Sequence, residues 1–161
     1  MTLNDEATTP EAAGMEALQL FGENGLYCAE AVLTVLSRRQ GIRSELVPAI
    51  ATGFCSGVSR TAGTCGAVSG AVMALGLAYG RKNGTEPVER SYAAVNSFLE
   101  AFEREFGSCN CAGLLGCHLG TEEGQRAFVE QKLIARCRTF TQRATEIAAV
   151  LLDRHPCGEA G

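Results

Sequence analysis

One segment organises the whole chain, residues 64–80, which read TCGAVSGAVMALGLAYG. None of these residues is charged, and apolar side chains continue around every face of the helix that the segment would form. A helix that is apolar all round is typical of a protein core. Gly80 suits the C-terminal cap position of a helix. The segment therefore predicts a buried central helix from about Thr64 to Gly80.

Small residues recur every four positions along this helix, at Gly66, Gly70, Ala74 and Ala78. Glycine inside a helix costs roughly 0.5–1 kcal/mol relative to alanine. We therefore expect that a close neighbour leaves no room for a side chain at Gly66, Gly70 and Gly76, which is a steric demand for glycine. A stripe of small residues allows close approach by another backbone. Tight packing between helices, a cofactor and a partner subunit all satisfy that demand, and they are mutually compatible.

Helical periodicity dominates the rest of the chain, and signals for β-strands and hairpins are poor. A single turn of helix is also expected around Leu114. The predicted fold is all-α, a single-domain bundle of six or seven helices around the buried Gly/Ala-rich central helix. We expect disorder at residues 1–10, a helical cysteine-rich domain at 11–153 and a flexible tail at 154–161. The predicted helices outside the central one span residues 12–21, 28–39, 44–52, 88–106, 121–135 and 138–152.

Composition excludes several classes of protein. The chain has 161 residues, enough for one domain, with the 46 % apolar and 20 % charged residues of a globular protein. Its net charge is −4 and it has no basic run, so no nucleic-acid partner is expected. Residues 61–80 are uncharged, but their five glycines and their polar side chains favour a core helix over a membrane span. The first dozen residues lack the basic start and apolar run of a signal peptide, which favours the cytoplasm.

Cysteine is the most informative residue type in this chain. Eight cysteines occur without any C-x-x-C pair, and they are spread over almost the whole length. In a reducing compartment, thiols at this density more often bind metal or carry out redox chemistry than form structural disulfides. Only the fold can bring such distant residues together. The cysteines are Cys28, Cys55, Cys65, Cys109, Cys111, Cys117, Cys137 and Cys157.

Cys65 lies at the predicted start of the central helix. The positive end of a helix dipole and its unpaired N–H groups favour thiolate over thiol. We therefore expect a lowered pKa at Cys65, which makes it the candidate catalytic residue if the chemistry is thiol redox.

Residues 63–80 resemble the motif of the C_GCAxxG_C_C family of redox-active proteins, and further matches surround Cys28, Cys111 and Cys137. The resemblance covers about residues 15–152. It implies a small helical cytoplasmic protein with four recurrent cysteines. A related domain occurs in split-Soret cytochromes, which carry a 2Fe–2S centre, so the resemblance implies an iron–sulfur cluster here. The recurrent cysteines correspond to Cys28, Cys65, Cys111 and Cys137, and Cys117 lies where the family often has another cysteine.

The favoured function is a redox protein that binds an iron–sulfur cluster, of the 2Fe–2S type, for electron transfer or redox sensing. The expected ligands are Cys65, Cys111 and Cys137 with either Cys28 or Cys117. Gly63, Gly66 and Gly70 are the expected cofactor-binding glycines. Whether the protein is an oxidoreductase or an electron carrier stays open.

Two alternatives stay open beside the cluster. One is thiol–disulfide or persulfide chemistry, in which a low-pKa Cys65 works with a resolving cysteine such as Cys55, Cys117 or Cys157. The other is structural zinc, although zinc sites usually use C-x-x-C or histidine knuckles, and only His118 and His155 are present.

Three arginines and the interaction partners are the last features that the sequence predicts. Arg60, Arg136 and Arg138 are near the thiols in sequence and either offset thiolate charge or lie in solvent. The glycine stripe and the long helix 88–106 favour a homodimer. A redox partner protein is expected, but nothing in the sequence identifies it.

Overall fold

The computed structural model describes residues 9–23 and 25–154, and helices account for the regular structure of this part of the chain. The all-α prediction is confirmed. Of the two predicted disordered ends, only residues 9, 10 and 154 are described; Pro10 begins the first helix and Arg154 ends the last. Cys157 lies outside the described residues. The elements are α1 Pro10–Glu23, α2 Cys28–Arg39, α3 Leu46–Ala51, a 3₁₀ turn Thr52–Phe54, α4 Cys55–Arg60, α5 Gly66–Tyr79, α6 Glu89–Phe106, α7 Cys111–Leu115, α8 Glu122–Glu130 and α9 Ile134–Arg154.

The central helix of the prediction is α5, and it is buried as expected. Ala67, Val68, Ala71, Ala74 and Leu75 are all at most 1 % exposed. α5 packs against α2 on one side and against α6 and α9 on others. No helix in the described ranges is both long and apolar enough to cross a membrane.

The glycine stripe of α5 serves the contact with α2. A Cβ built on Gly70 would lie 2.7 Å from the carbonyl oxygen of Ala29 and 3.1 Å from its Cα, so a side chain there would force the two helices apart. Gly76 does not share this role, because a Cβ there would meet nothing within 4 Å. The prediction that a close neighbour requires glycine at Gly76 is therefore wrong. Since Gly70 is used within the chain, it gives no support to a homodimer, which stays a prediction.

Aromatic rings fill the space between α6 and α9. Phe98 and Phe102 of α6 are fully buried. The Phe102 ring lies 4.8 Å from that of Phe106, and the Phe106 ring lies 5.0 Å from that of Phe140 in an edge-on arrangement. This cluster fixes α9 against the core beside the end of the bundle at which the cysteines gather.

Two predicted helix boundaries near Cys137 need correction. Thr121 caps α8 as predicted, since its Oγ1 accepts the Gly124 N–H at 3.0 Å. However, α8 ends at Glu130, because the chain turns through Lys132 at a φ of +53°. α9 then begins at Ile134, four residues before the predicted start, so Cys137 lies in the first turn of that helix.

An unusual left-handed turn, α4, follows the 3₁₀ turn. Ser56, Gly57, Val58 and Ser59 all have positive φ and ψ values. Left-handed backbone costs residues other than glycine about 1–2 kcal/mol each, and for β-branched Val58 (φ +48°) it is a clear outlier. The Gly57 carbonyl accepts the Gly63 N–H at 3.0 Å, which ties the turn to the start of α5. Nothing in the sequence predicted this element.

Candidate redox site

Four of the predicted cysteines line one cavity of about 160 Å³ at an end of the bundle. Each comes from a different segment of the chain. Cys28 begins α2, Cys65 caps α5, Cys111 begins α7 and Cys137 lies in the first turn of α9. The fold thus gathers thiols that are far apart in sequence.

A short backbone bridge places Cys65 beside Cys111. The Cys65 N–H donates to the Cys109 carbonyl, and the Cys111 N–H donates to the Gly63 carbonyl, both at 2.9 Å. Asn110 strengthens the bridge, because its amide donates to the Ala62 carbonyl at 2.7 Å. Gly63, a predicted cofactor-binding residue, therefore aligns the two thiol segments through its backbone.

Cys28 is held at the N-terminus of α2. Glu30 closes this terminus, since its carboxylate accepts the Tyr27 N–H at 2.8 Å and the Thr52 hydroxyl at 2.6 Å. The Cys28 sulfur then rests on Gly66, where an added Cβ would overlap it. Gly66 is thus the predicted glycine that directly faces a cavity thiol, whereas Gly70 packs against α2 outside the cavity wall.

Gly57 makes a second close approach to the site. A Cβ on this residue would overlap the Cys111 Cβ and lie 3.1 Å from its sulfur. The left-handed turn can therefore lie flat against Cys111 because it presents a glycine there. Ser56, Gly57 and Arg60 of this turn all line the cavity.

Most of the remaining wall of the cavity is apolar, and its polar members are Tyr27, Ser56, Arg60 and Gln125. Among the described residues, no histidine, aspartate or glutamate contributes to the wall. Two exposed side chains border the cavity, Tyr27 at 58 % and Ile134 at 44 % exposure. Cysteine is therefore the main metal-binding residue type of this wall. The apolar lining residues are Phe21, Leu114, Leu115, Leu119, Phe128 and Phe140.

Three of the cavity thiols have raised pKa values. Burial, followed by the nearby Cys28, raises the pKa of Cys111 to about 11 and that of Cys137 to about 12. Burial likewise raises the pKa of Cys65. The predicted low pKa of Cys65 is therefore wrong: the N–H groups of Ala67 and Val68 do favour its thiolate, but the loss of hydration outweighs them.

Cys28 behaves in the opposite way. A hydrogen bond from the Cys55 thiol is the main cause that lowers the pKa of Cys28 to about 7, and the Ser56 and Ala29 N–H groups add to it. The same hydrogen bond raises the pKa of Cys55. The sequence predicts the lowered pKa at Cys65, at the start of α5, whereas in the structure the lowered pKa belongs to Cys28, at the start of α2. Gly53 and Gly57, which flank Cys55, were the only signal of irregular backbone at this point.

The other predicted thiols lie outside the cavity wall. Cys117 is half-buried and close enough for its charge to raise the pKa values of Cys111 and Cys137. The Cys109 sulfur points to the Leu99 carbonyl at 3.9 Å. The His118 side chain makes a local hydrogen bond, in which its Nδ1 accepts the Gly120 N–H at 2.9 Å.

The three arginines have different roles. Arg60 lines the cavity and is its one cationic wall residue among those described. Arg138 donates to the Phe21 carbonyl at 3.1 Å and Arg136 to the Leu115 carbonyl at 3.5 Å. Those two side chains therefore support neighbouring backbone segments.

The cavity can be tested against the groups that cysteine binds. Among the described residues, no three histidine, cysteine or acidic side chains converge to hold one metal ion. Tetrahedral zinc needs sulfurs about 2.3 Å from a single point. An iron–sulfur cluster distributes its thiolates over more than one iron, and its usual ligands are four cysteines. The four cavity cysteines are of the residue type that both zinc sites and iron–sulfur clusters use.

A comparison with known protein families gives a match over most of the chain. Residues 26–151 match the family described as "Putative redox-active protein (C_GCAxxG_C_C)". No significant match to a curated protein or to a solved structure was found. The match includes all four cavity cysteines and most of the described helices. The chain therefore belongs to the C_GCAxxG_C_C family of redox-active proteins.

Proposed function

We propose that this redox protein binds an iron–sulfur cluster in its thiol cavity and uses it for electron transfer or redox sensing. The observation that carries the proposal is that four thiols from four separate segments line one cavity, in which no described histidine or acidic side chain takes part. Four cysteine thiolates are the usual ligand set of 2Fe–2S and 4Fe–4S clusters. The 2Fe–2S type is preferred here because of the resemblance to the split-Soret domain.

The lining of the cavity supports one choice among the candidate ligands. Cys28 lines the cavity with Cys65, Cys111 and Cys137, whereas Cys117 does not. We therefore assign the ligand set to those four and leave Cys117 as a nearby spectator. Zinc stays an alternative outcome of the test below.

The raised pKa values fit a site that is completed by a cation. Without one, burial and mutual repulsion keep Cys65, Cys111 and Cys137 protonated. Metal binding requires thiolates and releases their protons, so affinity should rise with pH. A bound cluster would supply one-electron redox chemistry at this position.

The protein itself would control the surroundings of the cluster. The apolar walls, including Phe128 and Phe140, exclude water and so influence the reduction potential. Tyr27 and Ile134 lie at the exposed border, where a partner would come nearest to the cavity.

Anaerobic purification and reconstitution with iron and sulfide test the proposal. We expect a brown protein with visible absorption and with iron and sulfide in stoichiometric amounts. Cys111→Ser should lose the colour, whereas the matched variant Cys117→Ser should retain it. Colourless protein without iron, or stoichiometric zinc in its place, would overturn the cluster. Loss of colour in Cys117→Ser alone would overturn the ligand assignment.

A further inference from the structure

Cys28 has a thiol neighbour that lies outside the cavity wall, Cys55. The Cys55 thiol donates to the Ala51 carbonyl at 3.8 Å. A Cβ built on Gly66 would overlap the Cys28 sulfur and lie only 3.1 Å from the Cys55 Cα. The Cys28 sulfur and the Cys55 backbone therefore approach the same side-chain-free point on α5.

From this proximity we infer that Cys28 and Cys55 form a reversible dithiol–disulfide pair that exchanges with small external disulfides, and that the oxidised pair removes Cys28 from the ligand set of the cavity. The first part stands on the approach of the Cys28 sulfur and the Cys55 Cα to the same point at Gly66. Only the second part rests on the proposed cluster.

Accessibility decides the order of the two steps. Cys28 is half-buried and borders the cavity, whereas Cys55 is 5 % exposed. An external disulfide RSSR therefore meets Cys28 first. The Cys28 thiolate attacks one sulfur, the RS–SR bond breaks, and RS⁻ leaves a mixed disulfide behind.

Cys55 completes the exchange. It loses its proton to solvent and attacks the Cys28 sulfur of the mixed disulfide, which forms the Cys28–Cys55 bond and releases the second RS⁻. In total the dithiol gives up two electrons and two protons, and the external disulfide is reduced to two thiols. A small dithiol reverses the process by the same route.

The backbone around Cys55 supports a partner role that is separate from ligation. Cys55 lies between the 3₁₀ turn and the left-handed residues that begin at Ser56, and Ser59 Oγ donates to the Gly53 carbonyl at 2.8 Å across it. This arrangement holds Cys55 against the start of α2, outside the cavity wall.

The test uses iron-free full-length protein, so that its result does not depend on the cluster. The protein is incubated with glutathione disulfide, free thiols are blocked, and tryptic peptides are identified by mass spectrometry. The sequence suits this test, because the peptide ending at Arg38 contains Cys28 alone and residues 44–60 contain Cys55 alone. We expect these two peptides to form the dominant linked pair, and dithiothreitol to separate them.

Two variants serve as controls for the disulfide-exchange experiment. Cys55→Ser should abolish the linked peptides and leave Cys28 as a mixed disulfide with glutathione, whereas Cys117→Ser should leave the linked pair unchanged. A dominant link between other cysteines, or no link in the wild type, would overturn the exchange. The wild-type result decides this even if a variant fails to fold.

Cluster loading tests the second part. Protein with the Cys28–Cys55 link, freed of glutathione, should fail to take up iron and sulfide until it is reduced with dithiothreitol. Normal loading of the linked protein would show that oxidation does not remove a ligand. Failure of fully reduced protein to load would instead count against the cluster itself, so the two failures are distinguishable.

Discussion

Gly66 supports the Cys28 sulfur and directly follows Cys65, so one residue sets the position of two cavity thiols. A side chain at Gly66 would overlap the Cys28 sulfur and come within 3.1 Å of the Phe54 carbonyl oxygen. The steric demand expected at this glycine is therefore a demand of the site as well as of helix packing. Gly76, in the same helix, faces no such neighbour.

Replacing Gly66 by alanine should destabilise the protein by about 1–3 kcal/mol, because the added methyl group overpacks a filled contact. The variant should also retain less iron after reconstitution, since the Cys28 sulfur is displaced. Gly76→Ala is the matched control. It should stabilise the protein by about 0.5–1 kcal/mol, because the helix gains a better helix former without a clash. Urea unfolding of both variants measures these changes, and equal effects would refute the assigned contact.

Alkylation should reveal the lowered pKa of Cys28. In iron-free protein, the rate of reaction with iodoacetamide should rise with pH through a midpoint near 7, because the thiolate is the nucleophile. At neutral pH, Cys28 should be modified before Cys65, Cys111 and Cys137, whose pKa values are raised.

Cys55→Ala is the variant that isolates the cause of this lowered pKa. It removes the hydrogen bond that favours the Cys28 thiolate, so the midpoint should move to higher pH. The measurement is the pH profile of modification of the peptide that ends at Arg38. An unchanged midpoint in the variant would show that the thiol contact does not lower the pKa.

The aromatic cluster should dominate the stability of the α6–α9 contact. Phe102 is fully buried, with its ring 4.8 Å from Phe106 and 6.3 Å from Phe140. Phe102→Ala should lower the free energy of unfolding by about 3–5 kcal/mol, because it leaves a cavity. Tyr92→Ala, on the same helix but at a side chain that is 62 % exposed, should change it by no more than about 0.5 kcal/mol. Thermal unfolding followed by circular dichroism distinguishes the two.

A substitution that relieves backbone strain in the left-handed turn should stabilise the protein. Asparagine tolerates positive φ better than valine does, so Val58→Asn should raise the free energy of unfolding by about 0.5–1 kcal/mol. Ile50→Asn, at an exposed apolar position of the right-handed helix α3, should give no such gain. A destabilised Val58→Asn protein would mean that packing of the valine outweighs its backbone strain.

Residue patterns predicted most of the bundle. The bounds of α2 agree with the prediction, because an apolar stripe runs from Cys28 to Arg39 and Gly41 follows it. α6 also ends as predicted, at Phe106, where Gly107 takes a φ of +81°. Local signals of this kind are sufficient to predict the bounds of a helix where hydrophobic periodicity and capping residues agree.

The site was less predictable for physical reasons. A left-handed run that contains Ser56, Val58 and Ser59 opposes the local preference of those residues, so only tertiary contacts can maintain it. The burial that raises the pKa of Cys65, and the neighbour that lowers that of Cys28, are also properties of the assembled fold. The resemblance to a family identified the four cavity cysteines, but not the partner at Cys55.

The distribution of the cavity thiols over four segments has a consequence for biogenesis. During synthesis Cys137 leaves the ribosome last of the four, so no nascent fragment that lacks α9 presents a complete ligand set. On the proposed function, cofactor insertion is therefore a late event that requires the finished tertiary structure. A donor of iron and sulfide would then meet the folded cavity, whose border carries the exposed side chains of Tyr27 and Ile134.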